Sequence, residues 1–354
     1  MYVRSGTVFA VPFDLKRLAV TGSETPVIEG VFYNSSGGFA DYTFSDSGLL
    51  VYRAETRALT TGGTLQWLDR KGVAQALPAP PRQYRAVRLS PDGQRAVGVQ
   101  SDARRGDIWI YELLRGALTR LTSGGYNENP VWTPDGRRVA FGSTEGTGGI
   151  YWAPADGSGN PELLLQSPAL PSPDSWTPDG KMLLYHSGAP AQIWALPVPG
   201  SGGEGKPRPF LETSFNEVDA QVSPDGRWVA STSDESGKNQ VYARPFPGAP
   251  SGPRGKTAVS IEGGQEPRWS HDGRELFYRD AGKSQLMVVD IQTSPTFRAG
   301  QPRALFELRT ENWDVAPDGK RFLVVKFPET SADEAKMQVV VNWFEELRRK
   351  VPRR

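Results

Sequence analysis

The sequence predicts an all-β protein, a β-propeller built from four-stranded blades. Three observations lead there. A Ser/Thr-Pro-Asp-Gly motif or a close variant recurs seven times at intervals of 43–47 residues. Apolar, strand-like runs flank every copy. Gly (39) and Pro (30) make up about a fifth of the 354 residues, beside 10% aromatic side chains, a composition of many turns around a real core. A repeat of roughly 45 residues holding four short strands has the spacing of a propeller blade. No helical period shows before the last dozen residues.

The motifs are Ser45-Asp46-Ser47-Gly48, Ser90-Pro91-Asp92-Gly93, Thr133-Pro134-Asp135-Gly136, Thr177-Pro178-Asp179-Gly180, Ser223-Pro224-Asp225-Gly226, Ser270-His271-Asp272-Gly273 and Ala316-Pro317-Asp318-Gly319. Proline presets φ at the first turn position, Asp suits the second, and Gly takes the left-handed conformation that closes a bulged hairpin. Each motif therefore joins two antiparallel strands, A and B, as Val131-Trp132 before and Val139-Ala140-Phe141 after the third copy illustrate. A third strand, C, follows, for example Asp107-Ile108-Trp109-Ile110-Tyr111 or Gln192-Ile193-Trp194-Ala195, then a Gly/Pro-rich turn and a fourth strand such as Leu118-Thr119-Arg120-Leu121.

The chain ends hold two more C-type segments, Thr7–Phe13 and Gln338–Trp343. The expectation is seven four-stranded blades whose ring is closed by the N- and C-terminal strands, with eight blades, one incomplete, as the alternative. Residues 1–354 then form a single propeller domain with a short basic tail at about 344–354.

Composition narrows function. Lys+Arg (41) balance Asp+Glu (40), so no charge surplus points to nucleic acid. There is no cysteine, which removes disulfides and thiol chemistry, and two histidines argue against a metal site. No apolar run reaches the length of a membrane span. No Gly-x-Ser-x-Gly elbow occurs, and Gly255-Lys256-Thr257 lacks the glycine and the strand-to-helix setting of a phosphate loop. No cofactor is expected.

Two groups of residues are candidates for chemistry. Counting outward from the turn at Gly180 places Ser172 opposite His186, with Asp174 diagonal on the same face. These three are the nucleophile, base and orienting acid of a hydrolase reading, for ester-like substrates. The other group is the column seven residues before each motif glycine: Asp41, Ala86, Asn129, Pro173, Asp219, Glu266 and Asn312, with Glu128 and Glu311 beside it. In a propeller this position opens the innermost strand, so Asp41, Asn129, Asp219, Glu266 and Asn312 are expected to form an oxygen-rich ring at the channel mouth. Such a ring would bind a protein, peptide or small ligand; a column whose side chains cap their own blades is the structural alternative. Residues just after the glycines (Arg137, Lys181, Arg227, Arg274, Lys320) make the opposite end basic. Trp132, Trp176 and Trp269 share a column four before the glycine, where packing between blades is expected and a sugar-stacking surface is the alternative.

Together the repeated Ser-Pro-Asp-Gly turn, Gly6–Asp14, Arg244-Pro245-Phe246-Pro247-Gly248, Arg274–Arg279 and Val341–Leu347 resemble the TolB-type, WD-like propeller family. More narrowly they resemble the C-terminal propeller of bacterial transmembrane serine/threonine protein kinases. The resemblance implies a sensor or contact surface outside the cytoplasmic membrane. No kinase motif is present in the chain, and the expected role is non-catalytic.

Overall fold

The computed structural model describes residues 1–4, 6–34, 39–54, 62–101, 106–198, 205–246, 255–294, 296–310, 312–328 and 337–351. The chain folds as two compact units, residues 63–326 and residues 1–62 with 327–354.

Among the described residues, the larger unit is a ring of six antiparallel sheets, five of four strands and one of five. The first blade comprises Tyr84–Leu89, Arg95–Ser101, Gly106–Glu112 and Leu118–Arg120. The second is Asn127–Trp132, Arg138–Ser143, Gly149–Pro154 and Glu162–Gln166; the third is Ser172–Trp176, Met182–Ser187, Gln192–Pro197 and Arg208–Leu211. The fourth is Glu217–Val222, Trp228–Ser233, Gln240–Pro245 and Thr257–Ala258. The fifth is Gln265–Trp269, Glu275–Asp280, Gln285–Gln292 and Arg303–Glu307, with Arg298–Ala299 added on the end of its C strand. In the sixth, Trp313–Val315 and Arg321–Lys326 are completed by Thr64–Asp69 and Ala74–Ala76. The A strands are innermost, touching one another in sequence, and Trp313–Val315 meets Tyr84–Leu89 to close the circle.

Closure differs from expectation. Thr64–Asp69 pairs with Arg321–Lys326, Leu65 opposite Val325 and Trp67 opposite Leu323. The terminal strands lie elsewhere: Val8 pairs with Val3 and Ile28, whereas Val339 pairs with Val51. The B strand of the last repeat is thus already matched inside the ring, leaving no place there for the chain ends. The first motif, Ser45–Gly48, joins Tyr42–Phe44 to Leu50–Arg53 in a three-stranded sheet with Met337–Val340, in the smaller unit. That unit also holds the sheet of Tyr2–Arg4, Thr7–Ala10 and Thr25–Ile28, and a helix, Trp343–Lys350, within the stretch read as a basic tail. Trp343, 1% exposed, packs with Val8, Val27, Val31 and Leu50.

The turns follow their chemistry. Gly136, Gly226 and Gly319 have φ of 66°, 71° and 63°, a region open to glycine without cost. Thr133 Oγ1 donates to Asp135 Oδ1 at 2.6 Å, and that oxygen accepts the Arg137 N–H at 3.0 Å; the turns at Asp92, Asp179 and Asp272 repeat the pattern. The donated hydroxyls hold those four carboxyls below the usual range. Successive turns also touch: a methyl built on Gly136 would lie 3.6 Å from Pro91, and one on Gly93 2.9 Å from Pro317. The contact is missing at Gly319, because the preceding repeat has exposed His271 in place of proline.

Candidate functional site

The A strands of the first five blades each carry a β-bulge, in four of them at the column seven before the glycine and in the third one residue later. Ala86, Asn129, Asp219 and Glu266 sit there with φ of 49–57°, the left-handed region. Asn and Asp accept this conformation more readily than most residues, which accounts for part of their recurrence. In the third blade Pro173 cannot turn to positive φ, and Asp174 is the unpaired residue instead. A bulge re-aims the side chains of this column relative to those of a regular strand.

The column's groups find protein partners. Thr232 Oγ1 donates to Asp219 at 3.1 Å, and Arg279 grips both oxygens of Glu266 at 2.6 and 3.1 Å, each within its own blade. Other bonds cross between blades: Asn129 Nδ2 donates to Ser172 Oγ at 2.9 Å, Trp313 Nε1 to Glu266 at 3.0 Å, and the Ala86 N–H to Asn312 at 2.6 Å. Asp41 stands in the other unit, ion-paired with Arg53 at 2.9 Å. Glu311 lies outside the described residues. Glu128 is half-buried, and burial pushes its carboxyl up against the opposing pull of His186.

The expected ring of oxygen-bearing side chains has basic neighbours. Arg88 and Arg268, five residues before their motif glycines, share the bulged inner surface, and with Asp174, His186, Asp219 and Gln221 they line a small cavity of about 30 Å³. Arg268 is 4% exposed, its Nε ion-paired with Asp314 at 3.8 Å but without a hydrogen-bond partner among the described residues. Burial lowers Arg88 to about 10, with Arg268 adding to the effect. That column (Arg88, Val131, Ser175, Gln221, Arg268, Asp314) was legible as a polar pattern on an inner strand, and the sequence reading missed it.

The cross-strand pairing of Ser172 with His186 is as counted, and His186 Nδ1 lies 2.9 Å from Asp174 Oδ1. Burial alone would lower the imidazole, but the Asp174 carboxylate, with Asp219 and Glu128 beyond, pushes it up to about 9. The pairing favours the protonated ring and so opposes its taking a serine proton, while burial pushes the Asp174 carboxyl itself up. No hydrogen bond joins Ser172 to His186 among the described residues; the hydroxyl accepts from Asn129. The arrangement is an ion pair held between strands.

No protein-family model matches the chain. Among curated proteins it is 35% identical over 103 residues to the uncharacterized peptidase YuxL of Bacillus subtilis, covering 27% of this chain and 16% of that one. An uncharacterized protein of Agrobacterium fabrum is 31% identical over 166 residues, 45% of this chain and 51% of its own. The chain thus spans about half or less of the curated relatives it matches. Among solved structures, a protein assigned as TolB in Agrobacterium tumefaciens superposes with TM-score 0.62 at 19% identity, over 76% of this chain and 99% of that one. The fold is a TolB-like β-propeller. TolB from Acinetobacter baumannii gives TM-score 0.50 at 16% identity over 84% of this chain and 80% of its own. Kuenenia stuttgartiensis hydrazine synthase gives 0.53 at 14% identity, over 88% and 95%. At such identities the TolB-like likeness concerns architecture, and function has to be argued from sites. No helix of the described residues is long and apolar enough to cross a membrane.

Proposed function

We propose that this TolB-like propeller is a non-catalytic binding module that takes a protein, peptide or small ligand at the inner end of its A strands, around Asn129, Asp219, Glu266 and Asn312. One observation carries the reading. Arg88, Arg268, Asp174, His186 and Asp219 are gathered around one small cavity where apolar side chains would pack more stably. Ionisable groups concentrated in a cleft at such a cost mark functional sites. Asp174 Oδ2 and Arg268 Nε, both buried and without hydrogen-bond partners among the described residues, the latter 3.8 Å from Asp314, leave hydrogen-bonding capacity for a bound group. A sensor-like or scaffold role outside the cytoplasmic membrane is the finer reading, supported by the sequence resemblance to kinase-linked propellers.

Asp219→Ala is the test, since Asp219 accepts one side-chain bond from Thr232, whereas Glu266 also anchors Arg279 and Trp313. Partners or metabolites that co-purify with the wild type are identified by mass spectrometry and compared with those of the variant. Loss of the bound species with an unchanged thermal midpoint supports the site; retention of every species refutes it. Turnover of p-nitrophenyl acetate abolished by His186→Ala would restore the hydrolase reading.

A further inference from the structure

The smaller unit carries an exposed apolar projection that its core cluster does not include. Phe13–Asp14 pairs with Ala19–Val20 as a two-stranded sheet that joins no other strand among the described residues. Phe13 stands opposite Val20, so the two side chains share a face, and they are 49% and 60% exposed. Leu15 and Leu18 occupy the connecting turn at 81% and 76%. Lys16 and Arg17 lie between the two leucines, both exposed. Leu18 has φ 50°, a left-handed conformation that leucine rarely adopts, although its side chain packs into no core. The turn is tied off from within. Asp14 Oδ1 accepts the N–H groups of Lys16 and Arg17 at 2.8 and 3.1 Å, and the Thr21 N–H donates to Pro12 O at 2.9 Å. Arg17 Nε lies 3.9 Å from Asp14 Oδ2, an exposed pair that leaves the guanidinium open to solvent.

We propose that this turn docks on an anionic lipid surface, with Leu15 and Leu18 entering the apolar boundary while Lys16 and Arg17 meet the headgroup phosphates. Two arguments select that occupant. The first is charge. The cations stand beside the leucines at the tip, so a surface that receives both must hold negative charge directly over apolar matter, which is the layering of an anionic bilayer leaflet. The second is area. Four apolar side chains in eight consecutive residues fall short of the roughly 20–30 residues and ~800 Å² that each partner gives a stable protein interface. A bilayer needs no matching shape, and affinity for it grows with the apolar area buried and with the attraction of cations to anionic lipid. The internally bonded backbone suits the same occupant, because unsatisfied N–H groups would oppose entry into lipid.

The chain has no cysteine, so Leu15→Cys accepts a single environment-sensitive nitrobenzoxadiazole label on the full chain. With phosphatidylcholine vesicles containing about 30% phosphatidylglycerol, its emission rises and shifts to the blue, and pure phosphatidylcholine gives a much smaller change. The same label at Leu114→Cys, 90% exposed in the larger unit, does not respond. In co-sedimentation of the unlabelled chain, Leu15→Glu with Leu18→Glu weakens binding more than about tenfold. Lys16→Gln and Arg17→Gln weaken it roughly fivefold each and remove its salt dependence. Leu18→Gly relieves the left-handed backbone, so it raises the thermal midpoint while weakening vesicle binding, a combination that a purely structural role would not produce. The proposal is overturned if the wild type ignores the anionic vesicles, if the double glutamate variant binds them equally, or if pure phosphatidylcholine binds as well. It is also overturned if the wild type ignores vesicles but forms a dimer that Leu15→Glu breaks, which would make the turn a protein contact. The channel reading stands or falls separately, because Asp219→Ala leaves this turn intact.

Discussion

A single residue conformation explains both why the repeat is visible and why the site beneath it is less so. Motif glycines at positive φ have no substitute without strain, so the spacing of turns can be read directly. Replacing Gly136 (φ 66°) by Val should destabilise the chain by about 1–2 kcal/mol, seen as a lower urea midpoint with an unchanged slope. The same left-handed conformation at Asn129, Asp219 and Glu266 is invisible in a count of columns, because a bulge leaves no mark in spacing. Pro173 shows the consequence: it occupies the column, yet Asp174 delivers the carboxylate. Asp174 also sets a pH dependence through His186. A folded pKa of about 9, above the unfolded value near 6.5, gives stabilisation that is fully present below about pH 6.5 and is lost as pH rises through 9. Melting temperatures between pH 6 and 10 should fall for the wild type over that window, and His186→Gln should flatten the profile.

At the scale of strands and blades, stability rests on contacts that recur between neighbours. The interfaces are filled by alternating apolar side chains, such as Val97, Val99 and Ile108 of the first blade against Trp132 and Val139 of the second. Their cross-blade hydrogen bonds differ in a way that mutations can weigh. Trp132→Phe leaves the Arg88 carbonyl without its donor and should cost roughly 1 kcal/mol or more in chemical denaturation. Trp176→Phe removes an N–H that has no partner among the described residues, so it should cost less than Trp132→Phe, or nothing. Equal losses would mean that the two interfaces are equivalent after all. The shared tryptophan column was legible as inter-blade packing, but the difference between its members depends on where Arg95 and Arg138 turn, the first to Gly136 O and the second to Glu162. Both are arginines two residues after a glycine, and no sequence pattern separates them.

At the scale of the whole chain, the seven motifs divide between two units, and only the strand that closes the ring explains the division. Thr64–Asp69 stands after the Ser45–Gly48 motif, where a C strand of that first repeat would fall, yet it pairs with Arg321–Lys326 of the last repeat, a long-range match that local pattern does not carry. The resemblance between Thr7–Phe13 and Gln338–Trp343 offered a more obvious closure, which the structure does not use. Ring closure of this kind is a long-range contact whose loss exposes the flanks of two blades at once. Leu65, fully buried, and Trp67, 7% exposed, pack with Tyr84 and Leu89 of the first blade as well as with Leu323 and Val325 of their own. A fragment of residues 63–326 retains every strand of the six sheets and should unfold in a single cooperative transition, monitored by near-ultraviolet circular dichroism and urea. A fragment of residues 78–326 differs only by the loss of Thr64–Asp69 and Ala74–Ala76. It leaves Arg321–Lys326 as an open edge beside an uncovered apolar flank, and should lose cooperativity or aggregate. If the shorter fragment unfolds as sharply as the longer one, the closing strand is an accessory and the propeller is held by its blade interfaces alone.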